Sequence, residues 1–247
     1  MIIDILTTFP WMIEPIIESS ILKIASEKEI VVFNVIDIRE YSKNKHKNTD
    51  DAPFGGGEGM IMSPQPLFDT IIDVQDGLEK IIFPTPDGII FDQVMAKKLS
   101  NEKHLVFVCG HYKGIDQRVR DNFKMEEISI GDFVLTGGEI PTLAMVDSIV
   151  RLIPGVINNI KSAESDSFSQ PLLDCPWYTR PDSYEGNKVP EVLLGGNHKK
   201  IDEWRQSKRE EKTKKLRPDL WKKYIEMEYI SQDNTKEQEF KINKKSN

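Results

Sequence analysis

Cysteine is scarce in this chain: Cys109 and Cys175, 66 positions apart, are the two in 247 residues. Without a secretory leader ahead of them they argue against a disulfide-stapled scaffold and for reduced thiols in a cytoplasmic protein. Long apolar runs are missing too. The opening Met1-Ile-Ile-Asp-Ile-Leu-Thr-Thr-Phe-Pro10 has no basic n-region and is interrupted by Asp4, so neither a signal peptide nor a membrane span is expected. Histidine is sparse and scattered, at His46, His104, His111 and His198, with no H-x-x-x-H or cysteine-paired spacing, so no metal is expected from it. The glycine-rich runs match neither G-x-G-x-x-G nor G-x-x-x-x-G-K-[ST], which disfavours a polyphosphate ligand. A net charge of −7 speaks against indiscriminate nucleic-acid binding.

What is present suits a packed protein with a well-solvated surface: 38% hydrophobic and 30% charged residues, in a chain about 1.6 typical domain lengths long. Apolar runs near Ile2–Thr7, Val31–Ile38, Lys80–Phe83, Leu105–Cys109 and Glu127–Ile130 read as strands. They alternate with helical patterns over Glu14–Glu27, Pro66–Ile72 and Phe91–Leu99. That rhythm predicts an α/β fold with a mostly parallel sheet. Pro141 suits the first turn of a further helix, which Pro154-Gly155 stops. The Ser- and Asn-rich stretch Asn158–Gln170 lacks any period and reads as a linker. Beyond it come an irregular aromatic stretch, Cys175-Pro-Trp-Tyr-Thr-Arg-Pro181, and helical patterns over Ile201–Lys215 and Pro218–Ile230, then a polar tail from Ser231. The expected organisation is a domain over 1–157, a linker over 158–172 and a small helical domain over 173–247.

Two apolar runs end in glycine: Leu105-Val-Phe-Val-Cys-Gly-His-Tyr-Lys-Gly114 and Ile128-Ser-Ile-Gly-Asp-Phe-Val-Leu-Thr-Gly-Gly-Glu-Ile-Pro141. Glycine lets a ligand or another segment lie against bare backbone amides, and the apolar and aromatic residues between favour an adenosine-like molecule. Four glycines within Gly55–Gly59 form either a floppy surface loop or a loop that closes over substrate, with Lys43, Lys45, His46 and Lys47 upstream able to meet phosphates. From Gly196 to Lys223 there are 11 Lys and Arg against 5 Asp and Glu, either a phosphate-facing surface or a solvated helix face. Cys109, closing an apolar run, is either a catalytic thiol or, as is commoner at such a position, a small buried hydrophobe. Arg151 and Asp166 could stabilise charge on a carbonyl oxygen and accept a proton, or be a helix-end cation and a solvated carboxylate. Their spacing does not choose.

Several long stretches, in order, resemble one family. They are Asp50-Asp-Ala-Pro-Phe-Gly-Gly-Gly-Glu-Gly-Met60, Val108-Cys-Gly-His-Tyr-Lys-Gly-Ile-Asp116, Ser129-Ile-Gly-Asp-Phe-Val-Leu-Thr-Gly-Gly-Glu139, Asp147-Ser-Ile-Val-Arg-Leu-Ile-Pro-Gly155, Asp166-Ser-Phe168, Leu173-Asp-Cys-Pro-Trp-Tyr-Thr-Arg-Pro181 and Gly196-Asn-His198. The family is that of the bacterial tRNA (guanine-N1)-methyltransferases, of the SPOUT or trefoil-knot type, and the similarity runs to about Leu220. It implies methylation of guanine 37 of tRNA, a deep trefoil knot binding S-adenosylmethionine, and a homodimer. By the same resemblance the cofactor would contact Thr85, Pro86, Gly110, Ile130, Gly131, Asp132, Phe133, Val134, Leu135 and Gly138. Asp166 would be the general base and Arg151 its electrostatic partner. Ordering of Asn158–Gln170 on tRNA binding would complete the site. Lys113 and Gln117 stand where the family commonly has acids, so magnesium would act through the RNA and the cofactor rather than on a carboxylate there. Two rivals remain: an RNA-binding protein that has lost turnover, suggested by Lys113, and a nucleotide-phosphate enzyme using Gly55–Gly59, which lacks a Walker lysine.

Overall fold

The computed structural model describes residues 1–157 and 166–230. The chain divides into two compact units, Met1–Ile160 and Lys161–Asn247. Most of the linker expected over 158–172, and the tail from Ser231, lie outside the described residues.

The first unit is built on a five-stranded sheet. Its strands are β1 (Ile2–Thr7), β2 (Val32–Asp37), β5 (Glu79–Ile90), β6 (His104–Val108) and β7 (Glu126–Ser129), in the order β2-β1-β6-β5-β7. Every pairing in it is parallel. A parallel sheet needs crossovers that cover both faces, so its strands read as unbroken apolar runs. β6 follows that rule, with all five residues buried. Alternate residues serve opposite cores: Ile3, Ile5, Leu105 and Phe107 pack on one face, Leu6, Val106 and Val108 on the other. The first face is covered by α1 (Pro10–Ile17), α2 (Ser20–Glu27), α4 (Gln93–Leu99) and α6 (Glu139–Val150). The second is covered by a 3-10 turn (Ile38–Tyr41), α3 (Pro64–Val74) and α5 (Gln117–Asn122).

Two sequence expectations need revision here. The single helix read over Glu14–Glu27 is two, because Ser19 is extended and Ser20 takes φ 49°, while the Ser19 hydroxyl donates to the Ile16 carbonyl at 2.8 Å. Serine offers the backbone a local partner that competes with helix continuation. α5 was not anticipated. It is one and a half turns long, too short for a period to show, and Asp116 starts it by accepting from the Arg118 amide at 2.9 Å.

The glycine-rich stretch joins the short antiparallel strands β3 (Asp50–Asp51) and β4 (Ile61–Met62). Gly55, Gly56, Gly57 and Gly59 all take positive φ, and Phe54 at the tip is fully exposed. The base of this hairpin is fastened to the segment after β6. Lys113 N–H donates to the Met60 carbonyl at 3.1 Å and Met62 N–H to the Gly114 carbonyl at 3.0 Å.

The second unit contains a hairpin of β8 (Ser183–Tyr184) and β9 (Asn187–Lys188), then α7 (Glu191–Leu194) and α8 (His198–Leu216), followed by helical backbone over 218–230. The sequence reading missed the hairpin, whose signal is two residues long. Glu185 and Gly186 both take positive φ, 47° and 80°, as a two-residue hairpin turn requires. The last two helical stretches are tied by Gln206, whose amide donates to the Tyr224 hydroxyl at 3.0 Å.

Candidate functional site

A cavity of about 430 Å³ opens at the carboxyl ends of β6 and β7, where open α/β sheets commonly bind ligands. Three stretches wall it: Phe83–Asp87 inside β5, Gly110–Gly114 after β6, and the turn after β7 that leads into α6. β5 slips register against β7 between Pro84 and Ile89, which frees Thr85 and Pro86 from the ladder to face the cavity.

The other two walls meet on bare backbone. Gly138 N–H donates to the Gly110 carbonyl at 2.8 Å, and His111 forms an isolated antiparallel bridge with Gly137. A Cβ on Gly138 would stand 2.8 Å from Cys109 Cα and 2.9 Å from Gly110 N, closer than any side chain tolerates. Gly138 is needed for this approach rather than for its dihedrals, since its φ of −81° suits any residue. Gly131, by contrast, takes φ 150°, and a Cβ there would strike the Phe133 ring.

Beneath the crossing lies a polar knot of side chains that the sequence reading did not anticipate. His111 Nε2 lies 2.7 Å from Glu139 Oε2, and the Thr7 hydroxyl donates to Glu139 Oε1 at 2.5 Å. Glu139 is 1% exposed. Burial pushes its pKa up, but the hydrogen bonds from His111 and Thr7 outweigh that and hold the carboxyl below the ordinary glutamate range. It therefore stays an acceptor and fixes His111 as a donor through Nε2. The available signal was position alone, and only for two of the three: His111 and Glu139 each directly follow a glycine of the two runs, whereas Thr7 ends β1.

Cys109 is fully buried and in contact with the Thr142 hydroxyl at 3.4 Å. Burial and the nearby Glu139 charge drive its thiol well above the usual range, so it cannot serve as a thiolate nucleophile.

Of the residues expected to hold a cofactor, Thr85, Pro86, Gly110, Ile130, Gly131, Phe133, Val134, Leu135 and Gly138 line this cavity. Asp132 does not. It sits on the same tight turn with its side chain exposed to solvent, as a charged residue beside an apolar cavity would be. Phe133 and Val134 form an apolar lip, 53% and 82% exposed. Arg151 caps the end of α6, its N–H donating to the Asp147 carbonyl at 3.2 Å, and is half-buried. Asp166 belongs to the second unit, half-buried at a turn where its carbonyl accepts from Ser169 N–H at 3.4 Å. Arg151 is not a lining residue of the cavity.

Lys113 lines the cavity where a family acid was expected, and the Gln117 amide is engaged with Asp121 at 2.8 Å. Among the described residues, the group able to offer three ligand atoms to a metal is Asp76, Glu79 and His104, and none of these lines the cavity. His104 Nε2 there lies 2.9 Å from Asp4, whose other oxygen accepts from Asn34 at 2.7 Å, so the histidine is part of the packing between strands.

The family model described as "tRNA (Guanine-1)-methyltransferase TrmD" matches residues 1–223. The chain belongs to this family. A protein named tRNA (guanine-N(1)-)-methyltransferase from Bacillus subtilis is 52% identical over 223 residues, covering 89% of this chain and 92% of the relative. Relatives with the same name from Clostridioides difficile and Staphylococcus carnosus are 52% and 50% identical over 223 residues, covering 96% and 91% of their own lengths. The matched region takes in all three walls of the cavity, the Arg151 and Asp166 positions, and the second unit through the start of its last helical stretch. Among the described residues no helix is long and apolar enough to cross a membrane.

Proposed function

We propose that this chain transfers the methyl group of S-adenosylmethionine to N1 of guanine 37 in tRNA, working in the cytoplasm as a homodimer. The observation that carries the reading is the cavity walled by glycine-bearing backbone in a chain that belongs to this family. Its residues fit such a molecule. The Gly110–Gly138 approach leaves main-chain groups where a Cβ would otherwise stand, and Phe133, Val134 and Leu135 give an apolar surface for an adenosine ring. When bound, S-adenosylmethionine supplies an electrophilic methyl group on a sulfonium. A trefoil knot belongs to this reading, with the segment over 131–138 threading past Gly110; the backbone hydrogen bond between the two supports it.

The residues' own work is then defined by the chemistry of guanine. N1 carries a proton and is a poor nucleophile, so that proton must leave as N1 attacks, and negative charge moves onto O6. We assign the proton to the Asp166 carboxylate and the stabilisation of O6 to the Arg151 guanidinium. In this reading the site is completed by tRNA binding. The span 1–157 would be the methyltransferase domain, 158–172 the linker and 173–247 the tRNA-binding domain. Magnesium would reach the reaction through the RNA and the cofactor, because Lys113 occupies the position of the family acid.

Mass spectrometry of bulk tRNA incubated with the protein and methyl-labelled cofactor tests this reading, with label expected on N1-methylguanine. The position of Lys113 on the cavity wall favours one rival, an RNA-binding protein without turnover. Bound tRNA with no transferred label would select it.

A further inference from the structure

The aromatic stretch after Cys175 is unexplained by the cofactor cavity. Within the second unit it forms, with α8, a separate cavity of about 460 Å³. Trp177, Tyr178 and Trp204 contribute its aromatic surface, and Arg180, Asp182 and Arg205 its polar groups. Large aromatic side chains usually bury their area, yet Trp177 is 61% and Tyr178 49% exposed.

Trp177 is nonetheless held in place. Its indole N–H donates to Asp174 Oδ2 at 2.6 Å, and the Arg205 guanidinium stands over its ring at 4.8 Å from the centroid. Asp174 is itself fixed. Its amide donates to the Ser167 hydroxyl at 2.8 Å, its carbonyl accepts from Lys212 at 3.0 Å, and its carboxylate lies 3.6 Å from Arg209. Ordering an exposed aromatic this way loses side-chain freedom with little burial in return, which is what a preorganised stacking surface requires. Tyr178 and Trp204, their ring centroids 6.4 Å apart and tilted by 54°, line the same space.

The chemistry selects the occupant. A phosphate would meet the Asp182 carboxylate, and one of the two arginines already covers an indole. A planar heterocycle can stack on aromatic faces while its edge meets both a donor, Arg180, and an acceptor, Asp182. The volume falls within the range of small-ligand clefts, about 300–1,000 Å³. Basic residues of the same helix, among them Lys208, Lys214 and Lys215, could meet the backbone on either side of such a ring. We propose that this cavity receives one unstacked nucleobase of the bound RNA, so that the second unit reads the tRNA through a base as well as through its phosphates. The proposal rests on the tRNA reading above.

The test is tRNA-transcript binding measured across a salt series, with Trp177→Ala, Trp177→Phe and Lys214→Gln beside wild type. Trp177→Ala is expected to raise Kd by about 5- to 100-fold, with no change in the slope of log Kd against log salt. Trp177→Phe keeps a stacking face but loses the N–H, and is expected to fall between. Lys214→Gln should lower the slope by about one with a uniform loss. Far-UV circular dichroism and S-adenosylmethionine affinity should match wild type in all three. Wild-type affinity in Trp177→Ala, a loss in Trp177→Phe as large as in the alanine variant, or a slope that falls with Trp177 would each overturn the base pocket while leaving the tRNA reading standing. A wild-type chain that binds no tRNA would overturn that reading itself.

Discussion

Replacing Gly138 with alanine isolates the close approach on which the cofactor cavity depends. The backbone there, φ −81° and ψ −6°, is open to alanine, so no dihedral strain enters. Restricting the unfolded chain should even stabilise the fold by about 0.4–1 kcal/mol. Against this, the new methyl group would lie 2.8 Å from Cys109 Cα and 2.9 Å from Gly110 N, and both are backbone atoms that cannot swing aside as a side chain could. Carbon atoms rest about 3.5–4.0 Å apart, so the segments must part by roughly 0.7 Å or more. Overpacking of this kind costs about 1–3 kcal/mol, and it would also stretch the 2.8 Å hydrogen bond from Gly138 N–H to the Gly110 carbonyl. Sterics therefore win, by about 1–2 kcal/mol net. Urea unfolding reads the stability and calorimetry reads S-adenosylmethionine affinity, which should fall at least tenfold because the displaced atoms are the cavity wall. Gly195→Ala is the control: its nearest neighbour would be 3.8 Å away and its φ is −79°, so it should be neutral or slightly stabilising. A Gly138→Ala protein with the wild-type urea midpoint and wild-type cofactor affinity would refute the argument.

Asp166→Ala should abolish methyl transfer while leaving S-adenosylmethionine binding within about twofold of wild type; turnover above a tenth of wild type would remove its assignment as base. Glu139→Ala leaves Thr7 and His111 without their buried acceptor and should destabilise the first unit by about 3 kcal/mol in urea. The pKa of Glu139 is depressed in the fold, so its contribution is fully present above the unfolded value, about 4.3, and is lost as pH falls through the folded one. Acid unfolding of Glu139→Gln should accordingly be less steep below about pH 4.3 than that of wild type, and parallel curves would exclude the linkage. Binding of tRNA should weaken steeply between 50 and 200 mM salt, as it does for any surface that neutralises several phosphates; a flat response would remove the 196–223 region from the interface.

All five sheet strands were legible because a parallel sheet is buried on both faces, and a run such as Leu105–Val108 then has few other uses. The helices on those faces were legible by period, except where serine chemistry broke one at Ser19 and where α5 was too short to show a period. The glycines betrayed the cavity, since Gly110 and Gly138 have no other reason to end apolar runs. The Glu139–His111–Thr7 arrangement was not legible. Its three residues lie up to 132 positions apart, and each alone reads as an ordinary polar side chain. The aromatic stretch was seen but unexplained, because a cavity shared between 176–182 and α8 is a property of packing rather than of spacing.

The placement of Glu139 follows from what a main-chain binding site demands. A wall of bare amides has no side chains to lock it, so its geometry must be set from behind. A buried carboxylate at the first residue of α6 does this twice over. Its charge sits at the positive end of the helix dipole, and its two oxygens engage β1 through Thr7 and the other glycine segment through His111. An apolar residue there would fill the same volume and bury more favourably, but it would take from His111 and Thr7 the acceptor they share. The crossing would then be held by backbone pairing alone, the Gly138–Gly110 hydrogen bond and the His111–Gly137 bridge. Stability and cofactor affinity should therefore separate in Glu139→Gln: an amide retains the volume and one acceptor, so the fold survives, while His111, no longer facing a charge, releases the wall it holds.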